Sequence, residues 1–124
     1  MKNTNPVNWF DIHVANLEKA KAFYETVFNV QLEDFPLQWG KQSAFPSDRY
    51  GMNISGALVE KADFSENSNN TVVYFESQDC LKEESRVVAA GGEVLQSKMS
   101  IGEFGFVSRI KDVDGNVIGL HSLQ

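Results

Sequence analysis

Four side chains are the main candidates for chemistry in this sequence: Asp11, His13, Glu76 and His121. Asp11 and His13 lie two residues apart in an alternating stretch, and residues two apart in a strand share one face of the sheet. An imidazole titrates near neutral pH, so either histidine could work with Glu76 as a general acid and base. The same residues could instead form a metal site or have a purely structural role.

Aromatic side chains are predicted to lie beside these residues. By strand alternation, Trp9 shares a face with Asp11, and Tyr74 shares a face with Glu76. With Phe45 or Phe106, the rings could form a wall for a flat or hydrophobic ligand. Alternatively, the aromatic rings simply fill the core.

The first part of the chain predicts a strand followed by an amphipathic helix. Residues 7–14 alternate and have one uniformly apolar face. Asn16 is a good N-cap, and apolar residues recur after it at helical spacing. The helix should pack on the apolar strand face and end at Asn29, which tolerates the left-handed conformation.

The remaining patterns predict a second helix and seven more strands. The helix spans 81–90, with Asp79 as its cap and Gly91-Gly92 as its stop. The predicted strands cover residues 30–35, 41–45, 52–59, 71–77, 93–100, 106–110 and 117–122. Turns are expected over 36–40, 46–51, 102–105 and 112–116.

The two halves of the chain follow one plan. Landmark residues recur at an offset of 63, namely Asn16 with Asp79, Asn29 with Gly92, Gly51 with Asp114, Asn53 with Asn116, and Gly56 with Gly119. We predict one α+β domain over residues 1–124, with βαβββ modules at about 6–60 and 70–123 and a polar linker at 61–70. The paired modules should form a curved mixed sheet around a cleft. Open sheet edges also predict a homodimer.

Composition narrows the class of protein. The net charge is −6 and the basic residues form no stripe, which argues against nucleic acid as a partner. The sequence contains no run of about 18 apolar residues, so we predict no membrane span. The single Cys80 agrees with a reducing compartment, so we predict a cytoplasmic protein.

Several segments together resemble a known superfamily. They are Trp9–Val14, Ala20–Phe28, Gly56–Val59, Ala89–Gly92, Gly105–Val107 and Asp112–His121. The combination resembles the vicinal oxygen chelate superfamily of glyoxalases, bleomycin-resistance proteins and extradiol dioxygenases. The resemblance implies paired βαβββ modules but little about function, because this scaffold hosts isomerases, dioxygenases, thiol transferases and drug-binding proteins.

The resemblance also implies where a metal would bind. In metal-using members, a His or Glu on the first and last strand of each module holds a divalent ion. The corresponding positions here are Trp9, Gly56, Val72 (or Val73, if the register slips by one) and Gly119. None of these side chains can coordinate such an ion. We therefore predict neither a metal nor a cofactor.

The sequence thus predicts a metal-independent, glyoxalase/bleomycin-resistance-like protein that binds a small molecule in the cleft. The predicted ligand-binding residues are Trp9, Asp11, His13, Phe45, Tyr74, Glu76, Phe106 and His121. The alternative is a glyoxalase-like lyase or isomerase that uses Glu76 with His13 or His121 as acid and base. A third possibility, an interaction module without a ligand, would require a cleft that is packed shut.

Overall fold

Strand β1 (Val7–Val14) and helix α1 (Leu17–Phe28) form as predicted in the computed structural model, which describes residues 6–47 and 54–124. The side chain of Asn16 caps α1 by accepting a hydrogen bond of 3.0 Å from the backbone N–H of Lys19. Asn29 ends the helix in the left-handed conformation, at φ 54°. Short-range sequence signals therefore set both ends of α1.

The chain divides into two units. The first unit contains Trp9–Thr71, and the second contains Val72–Gln124 together with the start of the chain up to Asn8. Each unit has one helix and four strands, with the element order βαβββ. The prediction of an α+β fold made of two such modules is confirmed.

The first unit adds three strands to β1 and α1: β2 (Glu33–Asp34), β3 (Gln42–Ala44) and β4 (Ser55–Glu60). The strands lie in the order β2-β3-β4-β1, with β1 and β4 parallel and the other neighbours antiparallel. The start predicted for β4, most of the preceding loop and the landmarks Gly51 and Asn53 lie outside the described residues.

The strand predicted over 30–35 is much shorter than expected. The register pairs with β3 are limited to Glu33 and Asp34, followed by one backbone hydrogen bond of 3.0 Å from Phe35 to Gln42. Leu32 is buried in the core cluster, and its N–H donates to the side chain of Glu25 at 2.9 Å instead of joining a strand ladder. Packing against α1 thus replaces strand pairing at the start of this segment.

The second unit contains β5 (Thr71–Glu76), α2 (Cys80–Val87), β6 (Glu93–Ser100), β7 (Phe106–Lys111) and β8 (Val117–Ser122). Its strands lie in the order β5-β8-β7-β6. Asp79 caps α2, as predicted, by accepting the N–H of Leu81 at 3.0 Å. The helix ends at Val87, earlier than predicted, and within the predicted Gly91-Gly92 stop Gly91 has a positive φ of 101°.

The core of the first unit lies between α1 and one face of its sheet. Leu17, Leu32 and Leu58 form the buried cluster. Partly buried apolar side chains from β1, α1 and the flanking segments pack against it, namely Ile12, Val14, Ala20, Tyr24, Val30 and Phe45. As predicted, α1 therefore covers the apolar face of β1.

The core of the second unit places β8 against the start of α2. The buried Sγ of Cys80 lies 3.2 Å from the hydroxyl of Ser122, which also accepts the backbone N–H of Cys80 at 3.3 Å. Ser122 pairs in register with Phe106, and Leu120 with Ser108. Neighbouring residues in a register pair share a face, so these four side chains face α2.

Strand β6 ends the strand order of its unit, and α2 covers part of it. Two register shifts interrupt its pairing with β7, one between Val94 and Gln96 and one between Gln96 and Met99. Within the second shift, the backbone N–H of Lys98 donates to the carboxylate of Glu84 at 2.8 Å, and the hydroxyl of Ser97 donates to the same carboxylate at 2.6 Å. A side chain of α2 thus satisfies a backbone donor of the edge strand.

Neither helix in the described parts of the chain is long and apolar enough to cross a membrane. The boundaries of the linker and the cleft between the modules stay predictions.

Candidate functional site

Trp9, Asp11 and His13 lie on the face of β1 that points away from α1. They alternate with the residues that pack on α1, and all three are partly buried. The indole Nε1 of Trp9 donates a 2.9 Å hydrogen bond to Oδ1 of Asp11. This bond fixes the carboxylate beside the indole ring. His13 continues the same face toward the end of the strand.

The register of β4 corrects one part of the sequence interpretation. The resemblance placed Gly56 at a metal position and therefore on the face of Trp9. Instead, Gly56 pairs with Phe10 and Leu58 pairs with Ile12, so both belong to the α1 face. Ala57, paired with Asp11, takes the place on the Trp9 face that was expected for Gly56.

Two aromatic residues that the sequence interpretation missed extend the Trp9 face. The ring of Phe35 lies 6.5 Å from that of Trp9, between centroids, and Trp39 packs edge-on against Phe35 at 6.0 Å. A short 3-10 turn (Leu37–Trp39) carries Trp39, and the side chain of Gln42 donates to its carbonyl at 2.7 Å. We call Trp9, Phe35 and Trp39 the aromatic cluster.

Phe45 does not belong to the aromatic cluster. Its ring contacts Phe10 at 5.8 Å and Tyr24 at 5.6 Å, and it packs with the core beneath α1. The structure therefore places Phe45 on the opposite side of the sheet from Trp9. The sequence did contain a signal for the aromatic cluster, namely Trp39, a large aromatic residue within a predicted turn.

The face that carries the aromatic cluster is concave within the first unit. Trp9 belongs to β1, whereas Phe35 follows β2, and these strands lie at opposite ends of the order β2-β3-β4-β1. Three strand spacings correspond to about 14 Å in a flat sheet. Phe35 also lies in the row of His13, through Gln42 and Val59, so it is displaced from Trp9 by four residues along the strands. In a flat sheet the two Cα atoms would be about 19 Å apart, farther than two aromatic side chains with a 6.5 Å ring separation can span, so the sheet curves toward the cluster.

In the second unit, β5 and β8 bring the other candidates together as neighbours. Tyr74 pairs with Gly119, and Glu76 pairs with His121. Because Leu120 and Ser122 face α2, Gly119 and His121 lie on the opposite side of the sheet. Tyr74 is buried and Glu76 is exposed.

Protein groups hold both ring nitrogens of His121. Nε2 lies 2.7 Å from the carbonyl oxygen of Phe104, which can only accept, so Nε2 carries the hydrogen. Nδ1 lies 3.3 Å from the side-chain amide Nδ2 of Asn8. The buried Oδ1 of Asn8 has no hydrogen-bond partner. Contacts at both ring nitrogens thereby fix the orientation of the His121 ring.

Phe106 lies apart from Tyr74. It pairs with Ser122 on the α2 face, and the ammonium of Lys98 lies 4.6 Å from its ring centroid. The residues proposed as one aromatic wall therefore do not lie on a common side of the sheet. Trp9 and Tyr74 face away from the helices, whereas Phe45 and Phe106 face them.

The register also defines the positions at which the resemblance implied metal ligands. Asp11 pairs with Ala57, and Tyr74 pairs with Gly119. If Asp11 and Tyr74 are equivalent, at the predicted offset of 63, then Ala57 and Gly119 are equivalent at an offset of 62. The equivalent positions are Trp9, Ala57, Val72 and Gly119, none of which can coordinate a divalent ion. Within 6–47 and 54–124, no group of three His, Cys, Asp or Glu side chains could hold a metal.

Comparison with known proteins identifies the family. Residues 7–120 match the model of the Glyoxalase/Bleomycin resistance protein/Dioxygenase superfamily. The chain belongs to this superfamily, as the sequence resemblance predicted. No curated protein sequence matches the chain.

Solved structures share the fold at low sequence identity. Methylmalonyl-CoA epimerase from Mycobacterium tuberculosis is 16% identical with a TM-score of 0.69, over 100% of this chain and 93% of that chain. A hypothetical protein from Bacillus halodurans C-125 is 14% identical with a TM-score of 0.70, over 98% and 96%. A protein named NAD-dependent benzaldehyde dehydrogenase from Legionella pneumophila is 13% identical with a TM-score of 0.64, over 94% and 98%. These similarities establish a common fold.

Proposed function

We propose that this member of the superfamily binds a small organic molecule without using a metal ion. The observation that carries the proposal is the aromatic cluster, in which the indole of Trp9 is hydrogen-bonded to the carboxylate of Asp11 on a concave sheet face. Aromatic walls with a few fixed polar groups are typical of small-molecule sites.

The side chains at the four metal positions support the metal-independent part of the proposal. An indole, a methyl group, an isopropyl group and a hydrogen atom stand there, at Trp9, Ala57, Val72 and Gly119 respectively. Divalent ions in such sites require imidazole, carboxylate or thiolate ligands. In this proposal, binding depends on stacking and on hydrogen bonds from the chain itself.

The two tryptophans of the chain provide a direct test, because both belong to the aromatic cluster. A diverse library of small aromatic compounds, screened at millimolar concentration, should contain ligands that shift both indole N–H resonances and raise the melting temperature. A ligand at 100 times its Kd should add about 2.7 kcal/mol of stability. Binding should survive treatment with a chelator.

A pair of phenylalanine variants separates site effects from general effects. Phe35→Leu should weaken every hit, whereas Phe23→Leu should not, because Phe23 lies on α1 and is 59% exposed. If no compound shifts the indole resonances, or if both variants behave alike, the small-molecule proposal is wrong.

A second candidate function is proton transfer by Glu76. The observation that favours it is the pairing of Glu76 with His121 on adjacent strands, with the His121 ring held in place by Phe104 and Asn8. Because both imidazole nitrogens are engaged, the exposed carboxylate would transfer the proton, and His121 would position its surroundings.

Solvent-exchange measurements test this alternative. Methylmalonyl-CoA, the substrate in the name of one structural neighbour, is a suitable first probe because its acidic C–H bond can exchange with D₂O. Catalysed exchange that survives a chelator and falls at least about 100-fold in Glu76→Gln would support the enzyme. Exchange no faster than in buffer, for this and other acidic thioesters, would exclude it.

We also infer that the protein is a cytoplasmic homodimer. The exposed apolar side chains of α1 support association, since Phe23, Val27 and Phe28 are each more than half exposed. The buried, free thiol of Cys80 agrees with a reducing compartment. Sedimentation velocity should give twice the chain mass of 13.9 kDa. A single species at the monomer mass over the micromolar range would contradict the dimer.

A further inference from the structure

We propose that Arg109 anchors a second ligand site, which binds the carboxylate or phosphate group of a small organic molecule. The site lies in the second unit, on the side of its sheet that faces away from α2. It is additional to the aromatic cluster of the first unit and shares no residue with it. Three features support it: the position of Arg109, the neutral partner of its guanidinium, and the apolar side chains beside it.

Arg109 lies on β7 and points away from α2. Ser108, its neighbour in the chain, is buried on the α2 side together with Leu120, its register partner on β8. Successive residues of a strand face opposite sides of a sheet, so Arg109 and Lys111 lie on the other side. Arg109 is partly buried there, so the chain shields its positive charge from part of the surrounding water.

A neutral side chain holds the guanidinium of Arg109. Its Nη2 donates a 2.7 Å hydrogen bond to Oε1 of Gln96, the register partner of Arg109 on β6. The amide nitrogen of Gln96 lies 2.8 Å from Sδ of Met99, which keeps the amide oxygen directed at Arg109. Because an amide has no net charge, this bond orients the guanidinium without neutralising it.

Arg109 forms no ion pair with a carboxylate in the described parts of the chain. The ion pairs there use other cations, namely Lys21, Lys41, Arg86 and Lys98. Within 6–47 and 54–124, Gln96 alone accepts a hydrogen bond from the guanidinium. Partly buried cations usually have a charged partner, so a partner for Arg109 can come from a ligand.

The positions nearest to Arg109 on this side of the sheet have no negative charge. Its register partners are Gly119 on β8 and Gln96 on β6, and its neighbours on the same face of β7 are Val107 and Lys111. A ligand anion beside Arg109 would therefore not lie next to a carboxylate of any of these positions.

Two glutamates lie farther away on the same side. Glu93 pairs in register with Lys111, whereas Glu76 pairs with His121 on β8 and lies two strands from Arg109. Both glutamates are exposed, and neither takes part in an ion pair of the described residues. Solvent therefore screens their interaction with Arg109.

An organic oxyanion fits this set of groups. A guanidinium has five N–H donors in a planar fork, and Gln96 uses one of them, so a parallel pair remains for a carboxylate or phosphate. Lys111 adds a second positive charge on the same strand face. Val107 and Met99 pair in register on this side, and Met99 is 43% exposed. They offer apolar contact to the rest of the molecule.

Three benzene derivatives of similar size test the charge preference: benzoate, phenyl phosphate and uncharged benzamide. Isothermal titration calorimetry in a phosphate-free buffer gives each Kd, and the backbone N–H resonances of residues 107–111 locate binding. We expect at least one of the two anions to bind at least about tenfold more tightly than benzamide. The tighter of the two identifies the preferred group as a carboxylate or a phosphate.

Gln96→Glu supplies an internal counter-charge for Arg109. The new carboxylate can accept the same hydrogen bond, so the fold should be kept while the anion loses its partner. The tighter anion should bind at least about tenfold more weakly, and benzamide should change by less than about twofold. Gln78→Glu is the control, because it adds the same charge at an exposed position that accepts a hydrogen bond from Lys82. It should change the affinity for the anion by less than about twofold.

Arg109→Gln removes the positive charge instead. It should also weaken binding of the tighter anion by at least about tenfold. Arg86→Gln is the matched control, since Arg86 lies on α2 of the same unit and pairs with Glu83 at 3.7 Å. Its affinity for the anion should stay within about twofold of the parent protein.

The remaining outcomes contradict the Arg109 site. Equal affinity for benzamide and both anions would overturn it, as would anion binding that survives Gln96→Glu and Arg109→Gln. If library compounds shift the indole resonances but neither anion binds near residues 107–111, the aromatic cluster stands as a site and the Arg109 site fails. If an anion binds as expected while no compound shifts the indole resonances, the Arg109 site stands and the aromatic-cluster proposal fails.

Discussion

Gly119 of β8 lies directly against the ring of Tyr74 on the neighbouring strand β5, with no room for a β-carbon between them. The position of this buried ring therefore depends on the absence of a side chain at residue 119. In the first unit, Gly56 lies against Phe10 in the same way, but on the side of the sheet that faces α1.

Gly119→Ala is expected to destabilise the protein by about 1–3 kcal/mol, because the added methyl group overlaps the Tyr74 ring. Urea unfolding of the variant measures the loss. Tyr74→Leu provides the control, since Gly119→Ala should cost much less in that background. An equal cost in both backgrounds would show that the ring is not what the methyl group meets.

Gly56→Ala is expected to cost a similar amount, but the loss should persist when Phe10 is shortened. A β-carbon at position 56 would lie 2.6 Å from Cδ1 of Phe10 and also 2.5 Å from its backbone oxygen. Phe10→Leu removes the ring but leaves the backbone oxygen in place. Full relief of the Gly56→Ala defect by Phe10→Leu, measured by urea unfolding, would contradict this explanation.

Asn16→Ala is expected to destabilise the protein by about 1 kcal/mol, because the first turn of α1 loses its side-chain cap. Asn16→Asp should keep most of the stability, because its carboxylate can accept the same N–H of Lys19. Thermal unfolding of both variants makes the comparison. Equal melting temperatures for the alanine and aspartate variants would refute a capping role.

Acid should destabilise the second unit through Asp79. The hydrogen bond from Lys98, at 2.9 Å, and then the N–H of Leu81 hold the pKa of Asp79 below its ordinary value of 3.8. Because the pKa is lower in the folded state, this stabilisation is fully present above 3.8. It is lost as the pH falls through the folded-state pKa.

Lys98→Met should reduce this acid dependence. The variant keeps an apolar chain near Phe106 but removes the charge beside Asp79. Urea midpoints at neutral pH and at about pH 3 should therefore differ less in Lys98→Met than in the parent protein. Lys19→Met, on α1 of the first unit, is the control and should retain the parent's dependence.

Local sequence signals predicted the parts of the fold that depend on neighbouring residues. Asn16 and Asp79 cap their helices, and Asn29 ends α1, because each role needs only a side chain and a few backbone groups. The strand predicted over 30–35 failed in extent because Leu32 is buried beneath α1. Periodicity in one segment does not show which element will cover it.

The candidate site was only partly predictable for a related reason. Alternation correctly placed Trp9 with Asp11, and their hydrogen bond follows from that placement. The partner of Asp11 on β4 depends on strand register, which an offset between repeats cannot fix to a single residue. Phe35 and Trp39 join Trp9 through the curvature of the sheet, a property of four strands together.

The carboxylate of Glu84 has a consequence for how the protein behaves at high concentration. An exposed strand edge can recruit the same edge of another molecule, and such addition can continue without limit. By occupying the backbone N–H of Lys98, within an irregular part of β6, Glu84 leaves an incoming strand without a regular ladder to extend. The hydrogen bond between α2 and the edge strand therefore protects the protein against continued edge-to-edge association. Loss of this bond would appear first as turbidity in concentrated solutions during storage.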